Sequence, residues 1–95
     1  MTAIAETGTV NDQVADEVLR LSRLACRGNV DYIADNVMAE MELAASHARA
    51  GNFAAALSTL GRLLRWDPSW GELSEVTRSN IELSISSVRE AMGSA

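Results

Sequence analysis

The stretch Gly51–Pro68, GNFAAALSTLGRLLRWDP, constrains this chain most, because a start signal, an apolar period and a stop signal coincide in it. Gly51 closes a preceding helix, since glycine enters the left-handed region without a Cβ penalty. The Asn52 side chain accepts well from the first free N–H groups of a new helix. Phe53, Ala56, Leu57, Leu60, Leu63 and Leu64 then recur at helical spacing. Asp67-Pro68 stops the run, because the residue before proline is pushed out of the α region. A helix over about 53–66 results, and the rest of the chain reads as helices packed against it.

Those flanking helices carry signals of the same kind. Residues 1–10 are small and polar and read as a mobile arm, which leaves 11–95 as one helical domain. Thr9 or Asn11 caps a helix over about 11–27, with Val14, Val18, Leu21 and Ala25 as its buried stripe. Asp12, Asp16 and Glu17 near its start and Arg20, Arg23 and Arg27 near its end complement the helix dipole. Gly28 ends this helix and Asn29 caps the next, over about 30–50, with Ile33, Val37, Met41, Ala44 and Ala48 inward. The last helix, about 69–92, has two possible starts. Asp67 can cap it with Pro68 as its first residue, or Ser69 can cap it with Glu72 completing a capping box. Its inward line is Trp70, Leu73, Thr77, Ile81, Ile85, Val88 and Met92, and Val76 and Leu83 form a second apolar line. No segment alternates with period two, so the expected fold is all-α, a compact bundle of four helices.

Composition narrows the function. The chain has 95 residues, a formal net charge of −5, and only 4% aromatic residues within a 47% hydrophobic content. Its negative charge disfavours nucleic-acid backbones and anionic membranes as partners. All eight basic residues are arginine, which excludes Schiff-base lysine chemistry and a P-loop lysine. Cys26 is the sole cysteine and points to a reducing compartment. No apolar run approaches a membrane span, and the first ten residues lack a signal-peptide pattern, so a soluble cytoplasmic protein is expected.

Leu43, the small Ala44, Gly51, Phe53, Ala56 and Pro68 stand at the spacing of one tetratricopeptide repeat, which residues 37–70 therefore resemble. Glu40, His47 and Leu63 occupy positions where that repeat carries tryptophan, tyrosine and a small residue. The resemblance covers about a third of the chain and implies a helical hairpin whose commonest role is binding another protein.

The chemistry-bearing residues are few. His47, the only histidine, lies four residues before Gly51, which faintly resembles the histidine-phosphotransfer domains of small acidic bundles. Ala50 stands where that family carries lysine, leaving Arg49 to balance a phosphate. Arg20, Arg23 and Arg27 share one side of the first helix and suit a solvated face, a phosphate or an acidic partner. Asp31, Asp35, Glu40 and Glu42 lack the Glu-x-x-His pairs of a di-metal bundle. Cys26 pairs with His47 only if the fold joins them. No catalytic residue, metal or cofactor is therefore expected. Trp66 and Trp70 flank Pro68, and tryptophan is enriched where partners bind.

The reading that follows is a non-enzymatic acidic helical protein that acts by binding another protein, as adaptor or regulator. Its candidate contact residues are Arg62, Trp66, Trp70, Val76 and Leu83, with a homodimer through the last helix as one arrangement. Size and charge also suit a phage or mobile-element inhibitor of the anti-CRISPR type, blocking a host nucleic-acid-binding protein. Phosphotransfer through His47 is the third alternative.

Overall fold

A computed structural model describes residues 9–27 and 29–94, apart from the side chains of Trp70 and Ser94. Four α-helices follow in order: α1 Val10–Ala25, α2 Asp31–Arg49, α3 Phe53–Leu64 and α4 Glu75–Ser94, with a single 3₁₀ turn at Pro68–Trp70. No strand occurs among the described residues. Helix α1 packs against α2 and α4, and α3 packs against the same two. Short connections make sequential neighbours antiparallel, so the four close into an all-α four-helix bundle. The core contains Val18, Leu21, Val37, Met41, Leu60, Ile81 and Val88, each essentially sealed from solvent.

The start of α1 and the α2–α3 corner form on the signals the sequence carries. Thr9 caps α1 through a capping box with Asp12, so the helix already begins at Val10, inside the expected arm; residues 1–8 of that arm lie outside the described residues. At the α2–α3 corner the Gly51 N–H donates to the Ala48 carbonyl at 2.9 Å, and the Asn52 N–H to that of His47 at 2.8 Å. These are the two bonds of a Schellman motif, and Gly51 supplies its left-handed residue at φ 83°. Asn52 then accepts from the Ala55 N–H at 3.2 Å, so one residue ends α2 and starts α3.

Two expected caps are corrected. Asn29 does not cap α2; Val30 stands at that N-cap, with no side-chain cap. Asn29 turns to the opposite side instead. Its amide donates to the Ala25 carbonyl at 3.2 Å and to Thr77 Oγ1, and its oxygen accepts from the Ser74 N–H at 3.1 Å. The expected stop at Gly28 lies outside the described residues.

The second correction moves the start of α4 from about 69 to Glu75. Asp67 caps only the 3₁₀ turn, accepting from the Ser69 N–H at 2.9 Å. Gly71 then takes φ 108°, which no α-helix can pass through. Ser74 provides the real cap, its hydroxyl accepting from the Thr77 N–H at 3.2 Å. The inward line of α4 changes accordingly. Thr77, Asn80, Ile81, Ser84, Val88 and Ala91 are buried, whereas Ile85 is half-buried and Met92 exposed.

Within α3, Thr59 is buried and donates its hydroxyl to the Ala55 carbonyl at 3.0 Å. At Gly61 an added Cβ would meet only the flexible Arg65 guanidinium, at 3.6 Å.

Gly71 is the position least tolerant of a side chain. A Cβ there would lie 2.9 Å from Ile33 Cδ1 and 3.1 Å from the Tyr32 hydroxyl, on a backbone that L residues rarely adopt. We expect Gly71→Ala to cost about 1–3 kcal/mol. Chemical denaturation measures this, and an unchanged midpoint would contradict the placement of this loop.

Candidate interaction groove

The end of α3 and the facing side of α2 form an open groove. Asn36 of α2 faces Arg62, Arg65, Trp66 and Asp67 across a concavity of about 340 Å³, and Glu40, one turn along α2, lines an adjoining one of about 220 Å³ with Asn36, Arg62, Leu63 and Trp66. Arg62 Nη2 pairs with Glu40 Oε1 at 3.2 Å, bridging the two helices. Both partners are substantially exposed, so the pair contributes about 0.2–1 kcal/mol and yields readily to a competing charge.

Trp66 occupies the centre. Its half-buried indole packs against the core and also lines a second depression with Pro68, Glu72, Leu73 and Arg78. The indole Nε1–H donates to the Gly71 carbonyl at 2.8 Å. The positive-φ glycine therefore does two things, ending the 3₁₀ turn and presenting the acceptor that fixes the ring. Ser69, through its backbone N–H first and then its side chain, holds the Asp67 carboxyl below the usual carboxylate range. The stabilisation this cap gives the turn is present above the unfolded carboxylate pKa and is lost as pH falls through the folded value.

The expected contact residues do not all meet. Arg62 and Trp66 share the groove. Trp70 lies in the adjoining 3₁₀ turn, its side chain outside the described residues. Val76 and Leu83 lie on the outward face of α4, 50% and 54% exposed, and line neither depression. Asn36, Glu40, Arg65 and Arg78 belong to the surroundings of Trp66 and were not apparent from the sequence. The i, i+4 pair Asn36–Glu40 and the i, i+3 pair Arg62–Arg65 carried the signal, which becomes readable only once α2 and α3 are laid antiparallel.

The remaining candidates sit elsewhere. His47 is half-buried in the last turn of α2. The cation nearest it in sequence, Arg49, is already bound to Asp12 and to Asp16, at 2.9 Å each. Arg20 is paired with Glu17 at 2.7 Å. Cys26 follows α1 and contacts the start of α2, its thiol donating to the Ala34 carbonyl at 3.5 Å. His47 lies thirteen positions further along α2 than Ala34, a rise of about 20 Å, so the fold does not join cysteine and histidine. No group of three or more His, Cys, Asp or Glu able to hold a metal occurs among the described residues. No helix there is long and apolar enough to cross a membrane.

No family model matches the chain, and no curated protein or solved structure matches it.

Burial pushes the Cys26 thiol above its ordinary value, and the carboxylates of Asp35 and Glu42 add to the shift. Less thiolate is then present at mildly alkaline pH, and the thiolate is the reactive form. Alkylation of the folded chain at pH 8 should run severalfold slower than that of the same chain in urea. Equal rates would contradict the packing of Cys26 on α2.

Proposed function

We propose that this protein is a non-enzymatic binding module that engages another protein through the groove around Trp66. The observation that carries the reading is the indole itself. It is large, half-exposed and fixed by its bond to Gly71, and it sits between arginines in a surface concavity. Tryptophan and arginine dominate binding energy at protein interfaces, and a ring already held in place loses little entropy on binding. The resemblance of residues 37–70 to a tetratricopeptide hairpin supports the same role, since the groove lies between the two helices of that hairpin. Affinity capture from the native host should recover a partner with the wild type and lose it with Arg62→Ala/Arg65→Ala. Equal recovery with both would place the contact elsewhere.

A second reading, self-association through α4, is favoured by how that helix distributes its polarity. Thr77, Asn80 and Ser84 are buried while Val76 and Leu83 face outward. Their spacing of seven residues puts the last two on one stripe, the kind of exposed apolar feature that marks an interface. A two-fold pairing would bring the same stripe from both chains together. Light scattering after size exclusion should report a dimer for the wild type and a monomer for Leu83→Glu. A wild-type monomer at micromolar concentration removes this reading.

A further inference from the structure

The outward face of α4 repeats every seven residues in three parallel lines. Val76 and Leu83, 50% and 54% exposed, form the first. Ser79 and Ser86, also exposed, form a line of small side chains beside them. Glu75, Glu82 and Arg89 form the third, next to the serines, with Arg78 behind it. All four charged side chains are exposed, and none makes an ion pair within the chain. Two carboxylates and two guanidinium groups balance, so this face selects neither a basic nor an acidic partner by net charge. The order of its residues along the helix is what selects an occupant.

We propose that a second copy of this chain covers this face, its α4 packed antiparallel to the first about a two-fold axis beside Ile81. The assignment rests on the reading of α4 as the surface of self-association. In this register Val76 lies over the partner's Ser86 and Leu83 over the partner's Ser79, so each large side chain enters the space above a small one. Glu75 faces the partner's Arg89. The two Glu82 carboxylates meet near the axis, each beside the partner's Arg78. A parallel pairing sets each residue against its own copy instead, with Glu75 on Glu75, Glu82 on Glu82 and serine on serine. Flanking charges of this kind fix the orientation of paired helices. Glu90, next on the line of Val76 and Leu83, falls beyond the partner's Glu75, where α4 begins, and so lies outside the overlap. Glu75 and Arg89 stand fourteen positions apart on one helix, a rise of about 21 Å, so they cannot meet within a chain.

Light scattering after size exclusion, run on the full chain over a concentration series, measures the dimer dissociation constant. Glu75→Arg and Arg89→Glu should each raise it about tenfold, because the two-fold axis repeats every mismatch. The double variant Glu75→Arg/Arg89→Glu should return it to within about twofold of the wild-type value. Cysteine pairing reads the orientation independently of these charges. In a Cys26→Ser background, Glu75→Cys should form no disulfide with itself on oxidation and should cross-link to an Arg89→Cys chain mixed with it. A Glu75→Cys chain that cross-links to itself overturns the antiparallel arrangement and leaves self-association in place. Single reversals without effect, or a double variant no tighter than the singles, do the same. A wild-type monomer at micromolar concentration overturns the register and the self-association reading together.

Discussion

A buried hydroxyl decides how the last helix meets the other three. Thr77 is sealed from solvent, and its Oγ1 donates to the Ala25 carbonyl at the end of α1. The same carbonyl accepts from Asn29, which also donates to Thr77 Oγ1, and Ser74 Oγ lies 2.9 Å from that atom. The last carbonyls of a helix have no partner within it and need one from outside. Here that partner comes from α4, so the end of α1 and the start of α4 satisfy each other. A buried polar group left unpaired costs about 1–3 kcal/mol. A rotation of α4 about its axis would break the Thr77 bond and leave the Ala25 carbonyl to Asn29 alone.

With Thr77 fixed inward, the helical repeat dictates the rest of α4. Ile81, Ser84, Val88 and Ala91 follow Thr77 into the interior. Ser84 returns its hydroxyl to the Asn80 carbonyl at 3.0 Å and Asn80 its amide to that of Val76 at 2.8 Å, so neither lacks a partner. Val76 and Leu83 are turned outward by the same repeat. Burying them instead would turn Ile81 and Val88, now sealed from solvent, outward and would break the bonds at Thr77. Their exposure is thus a consequence of register, and the apolar stripe is held rigidly on a folded helix.

The parts of the fold legible in the sequence were those where local signals agree. At Gly51–Asn52 a left-handed glycine and a capping amide are adjacent, and together they satisfy both helix ends. Asn29 was misjudged because its side chain can cap the following helix or reach a distant one, and sequence spacing does not distinguish them. The choice rests on Thr77, 48 residues away. The start of α4 was misjudged because Pro68, Ser69 and Glu72 imitate a helix start, whereas Gly71 adopts a backbone that only tertiary packing against Ile33 and Tyr32 reveals. The groove was half legible. Trp66 and Arg62 stood out by residue type, but Asn36 and Arg65 acquire meaning only across the α2–α3 contact.

The bundle end and the groove are therefore one mechanical unit. Asn29 ties the α1–α2 connection to Ser74, at the end of the loop that leaves Trp66. Within that loop, Gly71 faces Ile33 and Tyr32 on one side and offers its carbonyl to the indole on the other. Gly71 thus serves both the fixing of the ring and the packing of the loop on α2. Such coupling favours a preorganised surface, because the entropy of fixing Trp66 is lost in folding and not again on binding. The half-buried ring packs against the core and lines the groove together with Arg65.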